Sequence, residues 1–131
     1  TMVKLTREEG EGPQITGFAG TGFKVRDVVF PNGIILTQTE AHDWSPPPIA
    51  ALTASDFRIA DGVDALASHP LPEFLLLGTG DALVQPPARF RREIEALGIG
   101  IEAMDSRAAA RTLAVLRAEE RWIVAALYPL G

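Results

Sequence analysis

The hydrophobic positions of the chain change their period near residue 45. Residues 14–44 carry short apolar-rich runs, QITGF at 14–18, GFKVRDVVF at 22–30 and GIILTQT at 33–39. Gly20–Gly22 and Pro31-Asn32-Gly33 separate them. These runs predict strands, and the Asn-Gly pair between two of them predicts a hairpin. Trp44 closes this half. The SPPPIAA stretch that follows predicts an extended connector, because proline fixes φ and removes a donor. No basic residue flanks it, which disfavours a polyproline ligand reading.

From residue 53 onward the pattern alternates helix and strand. Thr53-Ala54-Ser55-Asp56 fits a variant capping box, with Leu52 and Phe57 spaced for a hydrophobic staple. These predict a helix from Thr53 to about Ala67, ending before Pro70 despite Gly62 in its interior. Phe74–Gly78 (FLLLG) is a continuous apolar run, as a strand buried on both faces of a parallel sheet requires. Pro86 and Pro87 suit the first turn of a helix over about 87–97, with a face of Phe90, Ile94 and Leu97 and a stop at Gly98. Residues 99–104 form the next strand. Asp105 or Ser106 caps a further helix carrying Leu113 and Leu116, with Arg107, Arg111 and Arg117 on its polar side. WIVAALYP, residues 122–129, is the last strand. Strand, helix, strand, helix, strand in this order implies parallel crossovers with helices on the sheet's faces. The chain is therefore expected to be an α/β domain, its N-terminal β-rich part extending the sheet or packing as a second layer.

Composition narrows the function classes. At 131 residues the chain makes one domain, here 14–131, behind an acidic, Gly-rich and flexible tail at 1–13. Lys plus Arg is 12 against 17 for Asp plus Glu, a net charge of −5, so no nucleic-acid partner is expected. The absence of cysteine excludes disulfides, thiolate metal sites, iron–sulfur clusters and a Cys nucleophile. No run approaches the roughly 20 apolar residues of a membrane span, so direct membrane insertion is not expected. The N-terminal stretch looks like neither a secretory signal nor a transit peptide, and the expected location is cytoplasmic.

Several stretches together carry a resemblance: ITGFAGTGFKV, GIIL followed by DW, LLLGTGD, the Pro-Pro before the second helix, and GIGIEAMDSRAAARTLAVL. Over residues 14–129 the chain resembles the small-domain family of largely unknown function that includes the mitochondrial NADH dehydrogenase (complex I) assembly factor 3. The resemblance implies a three-layer α/β fold around a central mixed, largely parallel sheet. It also implies action through a protein partner, with respiratory-complex or membrane-protein assembly components as the partner class. Where relatives carry Tyr-Asn in the third helix this chain has Leu113-Ala114, and a glycine often found before the last strand is Glu120. No polar role of that Tyr-Asn pair carries over.

The candidate chemistry centres on Gly78-Thr79-Gly80-Asp81. A dinucleotide fingerprint would need glycine at position 83, which is Leu83, and the Gly-Lys-Ser/Thr of a phosphate loop is missing. A tight strand exit with Gly80 at positive φ is the simpler reading. If 74–78 and 99–104 are parallel neighbours, their exits converge where open α/β sheets bind ligands. Gly78, Thr79, Gly80 and Asp81 would then face Asp105, Ser106 and Arg107 across a crevice. Asp81 and Asp105 suit an acid–base pair or a hard-cation site; alternatively Asp105 only caps its helix and Asp81 is solvated. His42 and His69 lie in separate segments, and neither a G-x-S-x-G elbow nor H-E-x-x-H is present. Arg89, Arg91 and Arg92 alternate with Glu93 and Glu95 as a solvated face. The expectation is a non-enzymatic interaction or assembly factor with no cofactor and no transition metal. The alternative is a binder or enzyme for a small polar or anionic ligand at the crevice.

Overall fold

A computed structural model describes residues 12–59 and 62–131. Among the described residues, eight strands form two sheets, with two α-helices packed on the larger one. Strands β1 (Gly17–Ala19), β2 (Gly22–Val25) and β3 (Val28–Phe30) form an antiparallel sheet in the order β1-β2-β3. Strands β4 (Ile34–Leu36), β5 (Ala41–Asp43), β6 (Phe74–Gly78), β7 (Gly100–Met104) and β8 (Val124–Leu127) form a mixed sheet in the order β5-β4-β8-β6-β7. Helix α1 (Ala88–Ala96) joins β6 to β7, and α2 (Ser106–Ala118) carries the chain back over β6 to β8. β6 pairs parallel with both β7 and β8, as the alternating pattern predicts. β4 runs antiparallel to β8, so the sheet is mixed.

Period-2 alternation divides the core between the faces of this sheet. Leu75, Leu77, Ile35 and Ala126 face one way, against Phe90 and Ile94 of α1 and the buried Trp44 and Phe57. Leu76, Ile34, Leu36 and Leu127 face the other way, against Ala109, Leu113 and Leu116 of α2 and Phe23 of the small sheet. The result is the three-layer α/β arrangement expected. Pro87 sits at the N-cap of α1, and Gly98 takes a φ of 85° just past its end, which is why that helix was legible.

Three local expectations fail. Asn32-Gly33 does not close a hairpin; it passes the chain from the small sheet to the large one. Gly33 is needed there because an added Cβ would lie 2.8 Å from the Trp44 carbonyl oxygen. The hairpin lies instead inside GFKVRDVVF, at Arg26-Asp27, where Arg26 adopts a φ of 57° and Val25 pairs with Val28. Among the described residues of the helix expected over 53–67 there is no α-helix, and Ala54–Phe57 form a 3-10 turn; positions 60 and 61 lie outside the described residues. Arg58 leaves that turn extended, and Gly62 adopts a left-handed φ of 73°, which no α-helix continues through. Leu52, Phe57, Ala65 and Leu66 are buried all the same, so a looped segment satisfies the apolar demand read as a helix. Leu97, assigned to the core face of α1, is 43% exposed at its C-cap.

Glu120 stands at a φ of 59° after α2, a conformation that ordinarily favours glycine. The glycine preference of that position is a backbone requirement.

Candidate functional site

The exits of β6 and β7 meet at the carboxyl edge of the sheet. The Thr79 amide donates to the Met104 carbonyl (2.8 Å), and the Ser106 amide to the Gly80 carbonyl (2.8 Å). Ser106 Oγ accepts from the Gly80 amide at 2.9 Å and donates to the Tyr128 carbonyl at 2.7 Å, tying the exits of β6, β7 and β8 together. Gly78 permits this closeness: an added Cβ would lie 2.8 Å from both Ser106 Oγ and Leu127 Cγ. Gly80 turns at a φ of 103°. Thr79 Oγ1 donates to the Ala82 carbonyl (2.7 Å) and accepts from the Val84 amide (3.0 Å), which curls the loop on itself.

The carboxylates divide between two environments. Asp105 caps α2, accepting from the Ala108 amide at 3.0 Å. Asp81 is exposed and pairs with Arg107 at 3.1 Å. The loops thus face each other with all seven sequence-predicted residues assembled there. Ser106, Thr79 and Gly80 are buried and hydrogen-bonded within the protein, while Asp81 and Arg107 remain at the rim. Among the described residues, no group of three or more His, Cys, Asp or Glu side chains is placed to hold a metal ion.

The other sequence candidates lie elsewhere. His69 is exposed. His42 Nε2 sits 2.9 Å from a Glu40 carboxylate oxygen, without hydrogen-bond alignment. Arg89 and Glu93 are more than a solvated face. Arg89 donates to the Leu52 and Ala50 carbonyls, and Glu93 accepts from the Ala54 amide, so both pin the 49–57 segment to α1.

Arg117, assigned to the polar side of α2, is fully buried. Its guanidinium donates to the carbonyls of Pro13 (3.1 Å) and Thr37 (2.7 Å) and to Gln38 Oε1 (3.0 Å). A longer contact of 3.5 Å reaches the Ile123 carbonyl. These partners are neutral oxygens, and burial pushes its pKa down to about 10. A signal for it existed: Arg117 follows Leu113 by four residues, on the stripe that also holds Ser106, Ala109 and Leu116.

Grooves open away from the carboxyl edge. One of about 480 Å³ lies between the small sheet and Ala41, lined by Pro13, Val25, Val28 and Phe30. Another, of about 360 Å³, separates β1 from α2.

The mixed five-stranded sheet, its two helices and the appended antiparallel sheet define an α/β domain of one recognisable kind. The chain belongs to the family described as protein of unknown function (DUF498/DUF598), which matches residues 15–128. An uncharacterised protein of Rhodobacter capsulatus is 32% identical over 117 residues, covering 88% of this chain and 84% of that protein. A Bordetella pertussis protein solved by NMR as an Mth938-like domain shares 31% identity at a TM-score of 0.74, over 93% of this chain and 88% of that one. The crystal structure of an outer membrane protein from Bartonella henselae shares 25% identity at a TM-score of 0.77, over 92% and 97% of the two chains. The resemblance read from the sequence holds at the level of this family and of the Mth938-like fold. No helix among the described residues is long and apolar enough to cross a membrane.

Proposed function

We propose that this protein is a non-enzymatic interaction or assembly factor, working through a protein partner in the manner of the complex I assembly factor its sequence resembles. The partner class is a component of a respiratory or other membrane complex, met on the cytoplasmic side. One contrast carries the reading. The buried polar side chains at the carboxyl edge are engaged in internal hydrogen bonds, whereas the small sheet exposes large apolar side chains on its two edge strands. Phe18, Val28 and Val29 there are 45%, 55% and 46% exposed. Polar groups already satisfied at the crevice, set beside these exposed apolar side chains, favour contact with a partner over chemistry. Purification of the tagged native chain from its own cells, with crosslinking and mass spectrometry, tests it. A stoichiometric assembly component is the expected result, and a chain recovered alone under every condition would remove the proposal.

A second reading keeps the crevice of Gly78–Asp81 and Asp105–Arg107 as a site for a small polar or anionic group. The position at a sheet switch point favours it. Asp81 and Asp105 supply negative charge that opposes a phosphate, and we expect weak or no nucleotide affinity. Titration with ATP, NAD and inorganic phosphate, followed by amide shifts, decides. Micromolar binding centred on Gly78–Asp81 would promote this reading over the first.

A further inference from the structure

We propose that the groove between β1 and α2 accepts an extended acidic segment of a partner protein, added as a strand to the open edge of β1. The proposal rests on the interaction reading above and gives that interaction a place and a chemistry.

Among the described residues, β1 pairs only with β2, which leaves its other edge open, and Ile15, Thr16, Gly17 and Phe18 line the groove. A strand edge offers backbone donors and acceptors that an extended chain can use. Gly17 and Phe18 form one wall of the groove; Arg107, Ala110, Arg111 and Ala114 of α2 form the other. Gly17, Ala110 and Ala114 contribute only small side chains to its walls.

Charge complementarity selects the occupant. The chain as a whole carries −5, yet the charged side chains lining this groove are Arg107 and Arg111. Lys24 is in register with Gly17, and the Arg26 amide donates to Thr16 Oγ1. Arg107 lies 5.9 Å from the Phe18 ring centre. Arg111 is exposed and has no ion-pair partner among the described residues. The nearby carboxylates are Asp27, in the Arg26 turn, and Asp81, already paired with Arg107.

Spacing refines the motif. Arg107 and Arg111 are one helical turn apart, a rise of about 6 Å. Alternate residues of an extended strand are about 6.7 Å apart. A segment with acidic residues at alternate positions therefore sets one carboxylate against each arginine. Its intervening side chains point to the opposite face, away from α2.

The test uses the full chain labelled with ¹⁵N and an eight-residue peptide alternating Glu and Val. Shifts should concentrate at the amides of Gly17, Phe18 and Ala19 and at the Arg111 side chain. N-methylation of alternate peptide amides should weaken binding about tenfold, because it removes the donors a strand needs. Arg111→Glu should weaken it roughly fivefold, by the scale of exposed charge pairs. Equal binding of the N-methylated peptide would overturn strand addition. Inorganic phosphate giving the same shifts at Arg107 and Arg111, with β1 silent, would reduce the groove to a general anion site. A native partner captured in unchanged yield by Arg111→Glu would remove this groove while leaving the interaction reading intact.

Discussion

The two ends of α2 solve the same problem differently. At the amino end, Asp105 and Ser106 satisfy backbone donors of the helix start and of the neighbouring β6 exit. At the carboxyl end, Arg117 reaches into the core and gathers carbonyls from Pro13 and from the β4–β5 turn. Asp105 takes part through a contact three residues away, which a capping rule anticipates. The partners of Arg117 are 79, 80 and 104 residues away, and no local rule reaches that far. A helix can thus be read correctly as an element while one end of it is misjudged as surface.

The largest way to break this contrast is to remove Arg117. Arg117→Ala leaves a cavity and strips several buried carbonyls of their donor, and should lower stability by about 3 kcal/mol. Arg117→Met, which fills the space without donating, should recover only part of it. Urea midpoints at constant m-value check both. A loss under 1 kcal/mol for Arg117→Ala would make the carboxyl end an ordinary surface end after all.

Ser106→Ala tests the amino end. It leaves the buried Gly80 amide without its acceptor and the Tyr128 carbonyl without a donor, and should lower stability by about 2 kcal/mol. A helix cap with no further role would lose nearer 1 kcal/mol. The excess over that figure measures how strongly Ser106 binds the three strand exits together.

Tyr128, beyond the end of β8, sharpens the comparison through pH. Burial, with a smaller contribution from Asp56, pushes its phenol well above its ordinary value, and the hydroxyl donates to the Pro47 carbonyl at 2.8 Å. The folded state therefore keeps this proton at a pH where the unfolded state loses it. The stability this gives is complete below about pH 10 and is lost as pH rises above that. The chain has one tyrosine, so absorbance near 295 nm reports it alone. Phenolate should appear only well above pH 10 or together with unfolding. Tyr128→Phe should remove the alkaline loss and lower stability near neutrality by about 1 kcal/mol.

Legibility followed the range of the interactions. FLLLG, Pro86-Pro87 and Gly98 each state a local requirement, and β6, α1 and β7 stand where those residues predict. The crevice was legible as a place for the same reason: parallel pairing brings 78–81 against 105–107. What the sequence did not reveal is that Ser106 would use both its hydrogen-bonding capacities inside the fold. The Asn32-Gly33 hairpin failed because a turn signal names a reversal without naming the sheet that follows. Arg26 took the hairpin instead, in a backbone region that its side chain does not favour.

The smallest expected effect lies at the element most misread, the stretch after Thr53. The capping box is real, but it closes a single 3-10 turn. Asp56 Oδ2 accepts both the Thr53 amide (2.8 Å) and the Thr53 hydroxyl (3.0 Å), while the Asp56 carbonyl accepts the Trp44 indole at 2.8 Å. The carboxylate is the hub of this turn, and the threonine hydroxyl is one of its donors. Thr53→Ala removes one donor and leaves the amide contact, so it should lower stability by only about 0.5 kcal/mol, the low end for an N-cap. Asp56→Ala frees the amide and the hydroxyl together and should lower it by about 1 kcal/mol. At the start of a full helix the order would reverse, because the N-cap side chain would then hold an amide with no other acceptor. Paired thermal or urea transitions of the two variants decide, and a larger loss for Thr53→Ala would return the segment to the helix its sequence suggests.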